Sequence, residues 1–222
     1  MRSNDHVESG TPARRGLFVT IEGTEGAGKS TNQRFIAGLL SAHGAVEQTR
    51  EPGGTTLGEE LRALLLKVRP ETFRFSAMAE LLLIFAARAQ HVEEKILPAL
   101  EAGVHVVSDR FTDATYAYQG AARGLDPAII RQLEISCIGD LQPDLTIFLK
   151  VDAATGLERV RARGESDRFE QEKISFFESV QQGYLRRAET FPARFLIIDA
   201  NQPLDQVQCA IGEAVGRALD RR

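Results

Sequence analysis

The segment Gly23-Thr24-Glu25-Gly26-Ala27-Gly28-Lys29-Ser30 fits the pattern G-x-x-x-x-G-K-[ST] and constrains this chain more than any other feature. It follows the short apolar, β-branched run Leu17-Phe18-Val19-Thr20-Ile21. It precedes Phe35, Ile36, Leu39 and Leu40, which recur at helical spacing until Gly44. A strand, a glycine loop and a helix are thus laid end to end, the setting in which such a loop cradles phosphate. Glycines let backbone N–H groups converge on phosphate oxygens without steric bulk. A helix opening near Lys29 turns its positive dipole end toward the anion. Lys29 then reaches the β- and γ-phosphates, and the Ser30 hydroxyl is placed to ligate Mg²⁺. Thr31 is either a buried helix residue or a minor phosphate contact.

The rest of the chain supplies the frame for this loop. Ala45–Thr49, Val104–Ser108, Leu145–Val151 and Phe195–Ile198 read as further strands. A helix-rich block spans about Leu57 to Ala102 and contains Glu80-Leu81-Leu82-Leu83-Ile84-Phe85-Ala86-Ala87-Arg88, too long for a typical buried strand. Asp126-Pro127 opens another helix, Asp152 is expected to cap the next, and Leu204, Val207, Ile211, Val215 and Leu219 mark one face of a closing helix. Strands alternating with helices predict an α/β fold, a five-stranded parallel sheet with helices on both faces and the site along its C-terminal edge. With 222 residues, one domain over 16–222 is the simplest count.

Composition excludes several classes. The formal charge of -4 argues against a whole-surface nucleic-acid binder, and no apolar run approaches membrane-span length, so neither nucleic acid nor membrane is expected as a partner. Cys137 and Cys209 form no disulfide framework and match no metal spacing, which fits a reducing, cytoplasmic setting. Met1–Arg15 is polar, lacks the apolar core of a signal peptide, and reads as a flexible tail.

A phosphate loop identifies a nucleotide binder, not a reaction. The chain has no Asn-Lys-x-Asp guanine motif, and its third strand ends Ser108-Asp109-Arg110 rather than in the Asp-Glu of many motor and transporter ATPases. Asp109, at the end of a buried strand, can hold Mg²⁺ through water or pair with Arg110. Thr49-Arg50-Glu51-Pro52-Gly53-Gly54-Thr55 turns tightly at the same sheet edge and presents Arg50 beside Arg110. Arg88 sits on an apolar helix, where it needs a partner or snorkels from the helix end. Arg159, Arg161, Arg163 and Arg168 surround Gly164. Arg163 and Arg168 flank a lid, around residues 160–171, that would bring positive charge to a phosphoryl group in flight, whereas for Arg159 and Arg161 a solvated basic helix end is the rival reading.

Taken in order, the loop from Ile21 to Ser30, the Thr49–Thr55 turn, Ala86-Ala87-Arg88, Asp109-Arg110-Phe111, Ala117-Tyr118-Gln119-Gly120 and Arg163-Gly164-Glu165-Ser166-Asp167-Arg168 resemble the thymidylate kinases. These are P-loop nucleoside monophosphate kinases. The resemblance runs from about Gly16 to the C-terminus and implies transfer of the ATP γ-phosphoryl group to dTMP, with Mg²⁺ and in a homodimer. It implies that Arg50 and Arg110 bind the dTMP phosphate and that Glu22 contacts the sugar 3′-hydroxyl and helps order the phosphate cluster. Arg88 would face thymine O4, Thr115 and Gln119 would hydrogen-bond the base edge, and Tyr118 would crowd the 2′ position. The phosphate loop carries Glu25 and no arginine, so the resemblance is to the bacterial type, in which the lid (here Arg163 and Arg168) supplies the catalytic arginine. Ala200–Pro203 would form part of the adenine loop. The family's thymine-stacking Phe falls at Ile84 here, with Phe85 one residue on, about 100° around the helix. Either Phe85 stacks after a local adjustment or Ile84 gives an aliphatic floor. The alternatives to this reading are another P-loop nucleoside monophosphate kinase, or a regulatory protein that holds ATP without a small acceptor. Arg50, Arg88 and Arg110 speak for a second anionic substrate.

Overall fold

The computed structural model describes residues 14–70, 73, 75–162, 164 and 167–221. Strands β1 (Phe18–Glu22), β2 (Val46–Arg50), β3 (His105–Asp109), β4 (Leu145–Lys150) and β5 (Phe195–Asp199) form one parallel sheet in the order β2-β3-β1-β4-β5. Each lies within one residue of the strand expected from the sequence. β1 is central, with Val19 opposite Val107 on β3 and Leu145 on β4.

Both faces of β1 are covered, which is why it reads as a continuous apolar run. Leu17, Val19 and Ile21 pack beneath helices α1 (Lys29–Ser41) and α9 (Leu204–Asp220), among Ile36, Leu40, Val207 and Ile211. Phe18 faces the other side with Ile96, Leu100, Val106 and Phe111. Over β4, Phe148 joins Phe176, Phe177 and Tyr184 of α8 (Ile174–Thr190).

The long helical block is α2 (Thr56–Leu66), α3 (Ala77–His91), a π-helical turn over Val92–Ile96, and α4 (Leu97–Glu101). After β3 a short helix, α5 (Thr112–Thr115), runs into a π-helical stretch, Tyr116–Ala122. Such wide turns are frequent at functional sites. Asp126 caps α6 (Pro127–Ile138), its side chain accepting from the Ala128 N–H. Asp152 precedes α7 (Ala153–Arg161) but makes no capping side-chain hydrogen bond, contrary to expectation. α1 ends at Ser41, short of Gly44.

Candidate active site

The loop between β1 and α1 is shaped by its glycines. Gly28 flanks α1 at φ 86° and Gly26 stands at φ 75°, both in the left-handed region. A Cβ on Gly26 would lie 2.1 Å from the carbonyl oxygen of Gly156, so the loop rests directly on α7. Lys29 Nζ donates to the carbonyl oxygens of Gly23 at 3.1 Å and Thr24 at 2.9 Å. Burial lowers the Lys29 ammonium below its ordinary range, Arg110 adds to this, and Asp109, Glu25 and Glu22 oppose it. Glu25, Gly26, Gly28, Lys29, Ser30 and Thr31 line a cavity of about 410 Å³, whereas Gly23, Thr24 and Ala27 are buried behind it.

The same cavity extends over the C-terminal ends of β2 and β3. Arg110, the residue after β3, adopts φ 72°. A bulky side chain seldom holds this geometry, which costs on the order of 1–3 kcal/mol and clusters at functional sites. It is fixed by the Arg110 N–H donating to the Ile21 carbonyl at 3.0 Å and by Ser108 Oγ donating to the Arg110 carbonyl at 2.7 Å. The guanidinium lies 4.7 Å from the centroid of the Tyr118 ring and donates to Glu25 Oε1 at 2.9 Å and to the Tyr184 hydroxyl at 3.1 Å. Its carboxylate partner is therefore Glu25, not the neighbouring Asp109. Asp109 lines the cavity with Ser30, and its Oδ1 is buried without a hydrogen-bond partner among the described residues. Arg50 ends β2, is half-exposed, and pairs with Glu59 at 2.8 Å. Arg62 of α2 lines the cavity too, donating to the Pro52 carbonyl at 3.0 Å. Nothing in its sequence neighbourhood distinguished it from an exposed helix arginine.

At the far end Arg88 does not snorkel; it is 2% exposed. Its Nε donates to Glu51 Oε2 at 2.7 Å, Nη1 to Thr115 Oγ1 at 2.9 Å and Nη2 to the Phe111 carbonyl at 3.1 Å. Glu51 also meets His91 Nδ1 at 3.0 Å, and His91 Nε2 meets Thr49 Oγ1 at 2.6 Å. Burial alone would raise the Glu51 carboxyl, but Arg88 and His91 outweigh it and hold the group below its ordinary range. Thr115, Tyr118 and Gln119 line the cavity. The Tyr118 hydroxyl donates to the Glu25 carboxylate at 2.8 and 2.9 Å, and Gln119 Nε2 donates to Glu80 Oε1 at 2.8 Å. Of the two candidates for contact with the base, Ile84 lines the cavity, whereas Phe85 is fully buried against Leu81 and Ile130.

Other expected site residues sit elsewhere. Glu22 is fully buried and does not line the cavity: its oxygens accept from the Phe111 N–H at 2.8 Å and the Tyr184 hydroxyl at 2.7 Å. Burial, reinforced by Asp113, raises its carboxyl to about 8. These bonds join the end of β1 to the Phe111 turn and to α8. Arg168 also lies off the cavity lining. Its Nε donates to the Leu65 carbonyl at 2.7 Å, and its Nη2 stands 2.8 Å from Glu80 Oε2. Arg163 lies outside the described residues. Arg159 does line the cavity, its Nη1 donating to the carbonyls of Gly26 at 3.4 Å and Ala200 at 3.3 Å, whereas Arg161 is exposed.

A phosphate loop leaving the central parallel strand, with a second basic subsite at the ends of the adjacent strands, defines the P-loop nucleoside monophosphate kinase fold. A family model described as Thymidylate kinase matches residues 21–211. The thymidylate kinase of Hahella chejuensis is 54% identical over 93% of this chain and 99% of its own. That of Teredinibacter turnerae is 57% identical over 90% of this chain and 97% of its own. The crystal structure of thymidylate kinase from Ehrlichia chaffeensis superposes with a TM-score of 0.73 at 32% identity, covering 91% of this chain and 99% of that one. The chain belongs to the thymidylate kinase family.

Proposed function

We infer that this enzyme phosphorylates dTMP to dTDP with ATP as donor, and that both nucleotides meet tail to tail in the one cavity. The observation that carries the reading is that the Lys29 loop and the Arg50, Arg62 and Arg110 guanidinium groups open onto the same space. An oxygen of the dTMP phosphate attacks the γ-phosphorus of ATP, the bond from that phosphorus to the β,γ-bridging oxygen breaks, and ADP leaves. The acceptor is already anionic, so no base is needed, and catalysis is positioning plus charge neutralisation.

Lys29 and the loop amides hold the donor phosphates, and Arg50 and Arg110 hold the acceptor. Ser30 Oγ and, through water, Asp109 would hold Mg²⁺, which when bound offsets donor charge; an Asp109 oxygen with no partner among the described residues and a Ser30 hydroxyl on the same cavity suit a hard cation. Arg159 ties the phosphate loop to Ala200, which supports assigning the adenine end to Ala200–Pro203. Arg88, Thr115 and Gln119 read the thymine edge over an Ile84 floor, and the Tyr118 ring crowds the 2′ position. The segment around 160–171 acts as the lid, a role supported by Asp167, Phe169 and Glu170 in the cavity wall.

The half-exposed Leu57 and Leu64 on α2 and Leu82 on α3 support a homodimer, and the unpaired Cys137 and Cys209 support a cytoplasmic setting. Among the described residues no helix is long and apolar enough to cross a membrane. A coupled ADP-release assay over the common nucleoside monophosphates tests the reaction. dTMP is the expected acceptor, and faster turnover of AMP or UMP would refute the assignment.

A further inference from the structure

Glu80, at the start of α3, is 2% exposed and has no place in the chemistry above, yet three side chains converge on it, one of them the cavity-lining Gln119. Gln119 Nε2 donates to Oε1 at 2.8 Å, Arg168 Nη2 stands 2.8 Å from Oε2, and Arg123 Nε is a looser 3.5 Å from Oε1 while pairing with Glu172 at 2.7 Å. A carboxylate only accepts hydrogen bonds, so it binds the NH₂ end of the Gln119 amide and never the carbonyl end. The carbonyl oxygen is then the end left for the cavity. Arg88, whose Thr115 partner lies one turn before Gln119, brings only N–H donors to the same end of the cavity.

We propose that Glu80 is a positioning residue for acceptor specificity: it locks the Gln119 amide so that an oxygen faces the base, and so selects pyrimidines with N–H at ring position 3 and oxygen at position 4. This rests on the dTMP kinase reading above and adds to it the group that sets the polarity of the base contact. Thymine and uracil offer N3–H beside a C4 oxygen. Cytosine offers a bare N3 beside an amino group, which would set lone pair against lone pair and donor against donor.

Glu80→Gln tests the inference. The new amide has one oxygen, and the Arg168 guanidinium draws it, which leaves NH₂ facing Gln119. The Gln119 amide then turns over and presents its own NH₂ to the base. Turnover of dTMP, dUMP and dCMP is measured as kcat/KM in wild type and variant. The expected result is a fall of about tenfold or more in the dTMP:dCMP ratio, the worth of one neutral hydrogen bond, with dTMP and dUMP falling together. Glu80→Met, which leaves the Gln119 amide unguided, lowers the ratio in the same sense and carries the test if Glu80→Gln does not fold. Arg168→Gln, which spares the Glu80–Gln119 bond, keeps the wild-type ratio even if all three rates drop. Equal loss on all three acceptors in both Glu80 variants, or a ratio that falls in Arg168→Gln as it does in Glu80→Gln, overturns the proposal. A wild-type enzyme inactive on dTMP would sink the assigned reaction itself, and this inference with it.

Discussion

Replacing Glu51 by Ala removes the carboxylate that the buried Arg88 and His91 side chains share. Arg88 and Glu51 are 2% and 3% exposed and lie 2.7 Å apart, and His91, fully buried, is 3.0 Å away. Deleting one partner of such a pair strands the other charge and costs about 3–5 kcal/mol. For a chain of this size that is a fall in Tm of roughly 6–20 °C, at about 2–4 °C per kcal/mol. Urea unfolding of wild type and Glu51→Ala should show a lower midpoint at unchanged slope. The pH dependence adds a second check. The folded Glu51 carboxyl lies below its unfolded value, so its contribution is present above the unfolded pKa and is lost as pH falls through the folded one. The deficit of the variant should therefore be full at neutral pH and shrink in acid. The KM for dTMP should rise as well, because Arg88 loses the group that aims it. A loss below about 1 kcal/mol at neutral pH, the level of an exposed pair, would refute the view that this network is a buried, charge-dependent brace.

Glu22 gives the opposite sign. Its folded carboxyl is raised to about 8, so the folded chain keeps a proton that the unfolded chain releases near 4.5, and stability falls as pH rises between those values. Thermal unfolding of Glu22→Gln across that window should be flatter than wild type, and parallel curves would contradict the raised carboxyl. Lys29→Met should lower kcat at least about a hundredfold, as loss of a transition-state charge contact does, while calorimetry still detects dTMP binding. Asp109→Asn should raise the Mg²⁺ concentration for half-maximal rate by about tenfold or more, as loss of an outer-sphere partner does. An unchanged Mg²⁺ requirement would remove Asp109 from the metal site.

β1, β3 and β4 were legible because burial on both faces leaves a nearly continuous apolar run, and the phosphate loop because its glycines and Lys29 are adjacent in sequence. Arg50 and Arg110 could be brought together because one ends and the other directly follows a strand of a parallel sheet. What escaped depends on distant pairing. Glu51, Glu80 and Arg62 look like ordinary polar residues until the fold sets Arg88, Gln119 and Pro52 beside them. Glu22 next to a phosphate loop invites a role in binding, but Tyr184, far along the chain, takes one of its oxygens. Arg168 reads as a lid cation, and its contacts to Leu65 and Glu80, distant in sequence, show only once the chain is folded. The π-helical stretch that carries Tyr118 and Gln119 has no periodicity of its own to betray it.

A crystal structure of the enzyme with dTMP and ADP bound together tests the two-subsite account most directly. The account predicts the dTMP phosphate between the side chains of Arg50 and Arg110, the ADP β-phosphate over the Gly23–Ser30 loop beside Lys29, and thymine against Ile84 within reach of Gln119. A dTMP phosphate lying away from both arginines, or dTMP and ADP held in separate cavities, would contradict it.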